Sequence, residues 1–86
     1  MEQINPDHYK AQGKECIVEM YEKFGREAVI AFCNLNAFKY LYRANHKGQR
    51  QSDLDKASWY NLLGYLLEQG DSIHEALETV RKGGAQ

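Results

Sequence analysis

The sequence lacks the features of membrane-spanning, secreted and disordered proteins. Its longest uninterrupted apolar run is AVIAFC at 28–33, far shorter than the ~20 residues that cross a bilayer. No basic segment followed by an apolar stretch begins the chain, so we expect no secretory signal and a cytoplasmic location. Hydrophobic residues make up 43% and aromatic residues 12% of the chain, which excludes disorder. We predict a soluble protein with no membrane partner.

Cysteine and proline are also scarce. The two cysteines, Cys16 and Cys33, lie in apolar helical patterns without CxxC spacing or paired Cys/His ligands. Buried packing therefore explains them better than metal or redox chemistry, and we predict no metal site. The one proline, Pro6, belongs to the stretch NPDHY at 5–9.

The chain shows no alternating strand pattern, internal repeat or low-complexity tract, and its apolar residues recur at helical spacing. The first helix, ECIVEMYEKF, ends at a left-handed cap on Gly25. The second, residues 26–44, is apolar on nearly every side, which predicts a central helix packed by neighbours around most of its girth. We predict one all-α domain over 1–86, a compact bundle of about four helices with an N-terminal turn folded over the central helix and a frayed tail at 83–86.

Polar residues predict where the last two helices begin. Ser52 and Asp55 resemble a capping box for a third helix that runs to about Gln69, and Ser72 with Glu75 forms a regular capping box for a fourth. Within the third helix, Gly64 predicts a close helix crossing.

The third helix also presents more apolar surface than one small domain covers, so we expect a homo-oligomer, most simply a two-fold dimer. The residues concerned are Trp59, Tyr60, Leu62, Leu63, Tyr65, Leu66 and Leu67.

Positive charge is concentrated in the middle of the chain. Residues 39–56 carry five basic and two acidic side chains, whereas acidic residues are in excess in 1–38 and in 57–86. Long nucleic acid favours an extended basic footprint, so a local excess of this kind suits one small anion better.

A polar stripe on the second helix is the candidate for holding that anion. The stripe contains Asn36, Lys39 and Arg43, which are spaced three and four residues apart. Tyr40 lies beside them, and the stripe continues to Lys47. No acidic residue lies three or four positions from Arg43, so a phosphate would supply its partner. We therefore expect Arg43→Ala to weaken ligand binding and leave the fold intact. The structural alternative is that the cationic stems extend to solvent and Asn36 bonds to the backbone.

The N-terminal stretch supplies further candidates. Asn5 and Pro6 predict a turn that brings His8 and Tyr9 to the stripe. Tyr9 and Tyr60 are candidate stacking rings for a base, as is Trp59, although a core position explains Trp59 more simply.

Three motifs together resemble a known family: N-P-x-H-Y near the N-terminus, the helix CNLNAFKYLYRANHK, and DLDKASWY. The family comprises small tailed-phage proteins of unknown function, some of whose members are described as phage nucleotide kinases. The resemblance covers 5–67 and implies a phage protein involved in nucleotide metabolism, in the cytoplasm of an infected bacterial host. Together with the stripe, it predicts a nucleotide or other phosphorylated small molecule as partner. The matching positions are Asn5, Pro6, His8, Tyr9, Asn36, Lys39, Tyr40, Arg43, Lys47, Lys56, Ala57 and Tyr60.

Kinase activity is one form of the function that the resemblance implies. The sequence has no GxxxxGK[ST] phosphate loop. The sequence also identifies no catalytic residue. A kinase would require Mg²⁺, for which Asp7, Asp53 and Asp55 are the nearby acids. The alternatives are a small phage effector that binds a host protein or defence system, and a structural or assembly protein.

Overall fold

The computed structural model describes residues 15–46 and 48–83, and within them the chain forms four helices and no strand. The all-α prediction is confirmed. Among the described helices, none combines the length and the apolar character that a membrane crossing requires. The predicted N-terminal turn, Lys47 and residues 84–86 lie outside the described residues. The helices are α1 (Cys16–Phe24), α2 (Arg26–His46), α3 (Arg50–Glu68) and α4 (Ile73–Arg81).

Gly25 separates α1 from α2. Its φ of 94° lies in the region that favours glycine, and its N–H donates to the carbonyl oxygen of Tyr21 at 2.9 Å. Its ψ of 173° is extended, so the predicted left-handed cap is right in φ and wrong in ψ. The chain therefore turns sharply into α2.

The capping box of α4 is confirmed, and the predicted box of α3 is wrong. Ser72 Oγ accepts from the Glu75 N–H, and the Ser72 N–H donates to the Glu75 carboxylate, both at 3.1 Å. Helix α3 instead begins at Arg50, before Ser52, and no side chain caps it. Asp55 accepts a hydrogen bond from Gln51 Nε2 at 2.9 Å. Arg50 and Gln51 are good helix formers and extend the helix past the apparent cap.

Helices α2 and α3 form an antiparallel pair, held at both ends. At the start of α2, Arg26 Nη1 donates to the carbonyl oxygens of Leu67 and Asp71 at 2.8 and 2.7 Å. At its end, Arg43 lies next to Asp53 near the start of α3. Between them, a Cβ placed on Gly64 would lie 3.2 Å from Cys33 Cβ. The close crossing predicted at Gly64 is confirmed.

Helices α1 and α4 complete the core on one side of this pair. Leu63 and Leu67 from α3 and Cys33 from α2 are fully buried, and Glu15 pairs with Arg81 to link the start of α1 to the end of α4. The core consists of Val18, Val29, Ile30, Cys33, Leu63, Leu67, Ile73, Ala76, Leu77 and Val80.

Two predictions about apolar surface are wrong. Within the described residues, helix α2 is covered on one side, chiefly by α3 and to a lesser extent by α1, and its opposite side exposes Leu35, Phe38, Leu41 and Tyr42. The apolar residues of α3 instead pack largely inward. Tyr65 is the large hydrophobic side chain of α3 that is exposed. The apolar excess thus lies on α2, because the two short helices pack against α3 and the first half of α2.

Candidate functional site

Three cationic side chains surround the ring of Tyr40. Lys39 Nζ lies 4.7 Å, Lys56 Nζ 5.4 Å and Arg43 Cζ 5.9 Å from the ring centroid. Lys39 and Arg43 come from α2 and Lys56 from α3, so the helix pairing brings them together. We call Lys39, Tyr40, Arg43, Lys56 and Tyr60 the Tyr40 cluster.

Tyr60 anchors the cluster to the core. Its ring is parallel to that of Tyr40, with centroids 6.0 Å apart, and it makes edge contacts with Phe32 and Trp59 at 5.8 and 5.1 Å. Burial raises the pKa of the Tyr60 hydroxyl, and Tyr40 adds to the effect, so Tyr60 stays protonated at neutral pH. Trp59 packs partly buried against the core, as its simpler explanation predicted.

Arg43 has an acidic neighbour that sequence spacing did not reveal. Its Nε lies 3.8 Å from Asp53 Oδ1, with the Arg43 side chain 45% exposed and that of Asp53 1% exposed. Neither carboxylate oxygen of Asp53 has a hydrogen-bond partner among the described residues. The interpretation of Arg43 as a cation without an acidic neighbour is therefore wrong.

A signal for Asp53 was present in the sequence. Asp53 precedes Ala57 by four residues and Tyr60 by seven, and this spacing places all three on one side of α3. Ala57 is buried and Tyr60 partly buried, so the stripe faces α2. Spacing along α2 alone does not reveal a partner that comes from the next helix.

Of the other predicted site residues, the structure describes only Asn36. Asn36 Nδ2 donates to the carbonyl oxygen of Phe32 at 2.9 Å, so its amide is used within α2, as the structural alternative predicted. Asn5, His8, Tyr9 and Lys47 lie outside the described residues, and their roles stay predictions.

The acidic residues near the Tyr40 cluster have other neighbours. No group of three or more His, Cys, Asp or Glu side chains that could hold a metal ion occurs in the described part of the chain. Asp53 lies beside Arg43, Asp55 is bonded to Gln51, and Asp7 lies outside the described residues.

The two cysteines differ. Cys33 is fully buried, and burial raises the pKa of its thiol to about 11, so it is a packing residue. Cys16 is exposed, which corrects the expectation that both are buried. The reason is that Cys16 is the first residue of α1 and lies outside its buried side.

Comparison with known proteins identifies a family without an assigned function. No curated protein and no solved structure matches the chain. Residues 4–61 match a family model described as protein of unknown function (DUF3310). This stretch contains the whole Tyr40 cluster and Asp53, and covers about two thirds of the sequence. The chain belongs to this family of proteins of unknown function.

Proposed function

We propose that this protein binds a nucleotide or another phosphorylated small molecule at the Tyr40 cluster. The observation that carries the proposal is the convergence of Lys39, Arg43 and Lys56 on one tyrosine ring. Three like charges around one ring repel one another, and an anion bound beside them would offset that repulsion.

The charges of the cluster are only partly compensated. Asp53 is next to Arg43, and no ion pair joins Lys39 or Lys56 to an acidic residue within the described part of the chain. Charge-assisted hydrogen bonds contribute ~1.5–3 kcal/mol each. Three of them, together with a base against an aromatic ring, are enough for a micromolar Kd, which corresponds to about 8 kcal/mol.

Asp53 has the properties of a residue that positions Arg43. A buried carboxylate without hydrogen bonds is costly, and such groups require an explanation. Asp53 approaches the guanidinium at Nε, which leaves the two terminal nitrogens of the half-exposed side chain for bidentate contact with a phosphate. The energetic cost of burying Asp53 is thus consistent with a functional site.

The resemblance to tailed-phage proteins supports the same proposal and makes it more specific. We place the protein in nucleotide metabolism of an infected bacterium, with kinase activity as a subset of nucleotide binding. Without a phosphate loop in the sequence, charge stabilisation in any phosphoryl transfer would rest on side-chain cations. Incubation with a nucleoside monophosphate and Mg·ATP, followed by chromatography for the diphosphate, tests for turnover separately from binding.

The binding test compares two lysines. We expect a thermal-shift screen of nucleoside mono-, di- and triphosphates to raise the Tm of the wild type, because ligands of the native state stabilise it. Lys56→Gln should then raise the Kd roughly 10- to 100-fold, as expected from losing one charged hydrogen bond. Lys23→Gln is the matched control, since it removes the same charge from the exposed end of α1.

Two results would contradict the proposal. One is the absence of any Tm shift across the screen, with and without Mg²⁺. The other is equal loss of affinity in Lys56→Gln and Lys23→Gln, because only overall charge would then matter. A lower Tm of ligand-free Lys56→Gln, with no ligand found, would mean that the cations serve only to pack against Tyr40.

A further inference from the structure

The exposed side of α2 carries a regular repeat of five apolar residues, followed at its C-terminal end by the polar Asn45. Its members recur at alternating intervals of three and four residues, the heptad spacing of a helix that packs along a partner helix. All six are exposed. We call this set the α2 seam: Ala28, Ala31, Leu35, Phe38, Tyr42 and Asn45.

The large side chains of the seam are exposed, and its aromatic rings stack on one another. Leu35 and Phe38 are each 69% exposed and Tyr42 is 58% exposed. The rings of Phe38 and Tyr42 stack at 6.5 Å, and Tyr42 stacks on His46 at 4.4 Å. At 1.5 Å per residue the seam is about 26 Å long. Contiguous apolar surface of this kind marks an interaction site.

The sizes of the side chains indicate what covers the seam. Small residues, Ala28 and Ala31, lie in its N-terminal half, whereas Phe38 and Tyr42 lie in its C-terminal half. An antiparallel copy of the same helix places Ala31 opposite Tyr42, Leu35 opposite Phe38, and Ala28 opposite Asn45. Every layer then pairs a smaller with a larger side chain. A parallel copy would set aromatic rings against each other and leave a gap between alanines.

We propose that two copies of this protein pair through their α2 seams, antiparallel, about a two-fold axis between Leu35 and Phe38. The helix dipoles then oppose each other, which is favourable. The contact is isologous, so it closes as a dimer and leaves no free seam. This interface uses α2, whereas the sequence pattern pointed to α3.

Mass measurement tests the dimer. The wild type at high micromolar concentration should have twice the monomer mass of 9.9 kDa by light scattering or sedimentation. Leu35→Glu, and independently Phe38→Glu, should reduce it to the monomer mass with helical circular dichroism retained, since both side chains are exposed. Tyr65→Glu is the matched control, because Tyr65 is 55% exposed on α3, and it should stay dimeric.

Cysteine cross-linking tests the orientation in a Cys16→Ser background. Ala31→Cys and Tyr42→Cys should each remain uncross-linked alone, because two copies of residue 31 lie about 16 Å apart along the axis, beyond disulfide reach. A mixture of the two variants should form a disulfide-linked heterodimer. A monomeric wild type, a dimer that survives both glutamate substitutions, or cross-linking of each variant alone would overturn the proposal.

Discussion

Asp53 is the residue whose burial has the clearest energetic consequence. Arg43 is the cation beside it, and an acidic group near the start of α3 also interacts favourably with the helix dipole. Removing Arg43 eliminates its interaction with Asp53, while the Asp53 carboxylate stays buried. The expectation that Arg43→Ala leaves the fold intact therefore no longer stands.

We predict that Arg43→Ala lowers the free energy of unfolding by about 1–3 kcal/mol, the cost of an uncompensated buried polar group. In the Asp53→Asn background the same substitution should cost less, because the amide has no charge to leave unpaired. Urea unfolding of the four proteins of this double-mutant cycle measures the coupling. Additive effects of the two substitutions would show that the pair does not contribute to stability.

The raised pKa of the Cys33 thiol predicts a loss of stability at alkaline pH. Its folded pKa of about 11 exceeds the unfolded value of ~8.5, so the unfolded chain loses its proton first. The stabilisation is fully present below the unfolded pKa and is lost as pH rises through the folded pKa. We expect the free energy of unfolding to fall by about 2–3 kcal/mol between pH 8 and 11.

Cys33→Ala is the control for this effect. It should be less stable at pH 8 because of the cavity, but its stability should fall less steeply with pH. Tyr60, whose pKa is raised chiefly by burial, contributes a loss in both proteins, although part of its shift depends on Cys33. Equal pH slopes for wild type and variant would contradict the assignment to Cys33.

At the scale of single residues, the sequence predicted which residues form the cluster, but it did not predict how their charges are paired. The family resemblance selected Lys39, Tyr40, Arg43, Lys56 and Tyr60, which the structure brings together. The acidic neighbour of Arg43 was missed because it lies on α3, so spacing along α2 alone does not show it. Its detection required knowing which sides of α2 and α3 meet.

At the scale of secondary structure, Arg26 fastens the start of α2 to the end of α3. Helix α3 has no basic residue in its last turn, and Arg26 supplies the positive charge that its C-terminal end favours. The guanidinium also lies 5.6 Å from the ring centroid of Tyr21, so three elements meet at this side chain: α1, α2 and α3.

We predict that Arg26→Ala lowers the free energy of unfolding by about 2–4 kcal/mol, because two charge-assisted hydrogen bonds are lost. Arg26→Lys should recover part of this, since an ammonium group lacks the fork of arginine. Arg50→Ala is the matched control, because Arg50 makes one exposed hydrogen bond to Asn45, and should change stability by less than ~0.5 kcal/mol. Equal effects of the two alanine substitutions, measured by thermal unfolding, would contradict the role of Arg26.

The helices themselves followed from periodicity, and their boundaries from caps where a cap exists. The Ser72–Glu75 box located α4 correctly because its hydrogen bonds are local. The start of α3 was misplaced because no side chain caps it. The exposed side of α2 was also missed, since a helix with apolar residues on every side gives no indication of which neighbours it has.

At the scale of the whole molecule, α2 contributes to two different surfaces. The Tyr40 cluster lies at its junction with α3, and the α2 seam lies on the side away from the core. The sequence predicted a small helical bundle, which is confirmed, and an oligomer, which stays a prediction. Which surface of α2 is exposed depends on how much of that helix the short helices cover. That quantity is a property of packing and is not encoded in any local pattern.

The antiparallel pairing of α2 and α3 also bears on the order in which the chain folds. Arg43 and Asp53 are ten positions apart, whereas Arg26 and its acceptors are 41 and 45 positions apart. Closing a shorter loop costs less entropy, so we expect pairing to begin beside the α2–α3 connection and to proceed toward Arg26. All five cluster residues lie between positions 39 and 60, so a nascent chain emerging from the ribosome would carry the complete set before α4 has been synthesised.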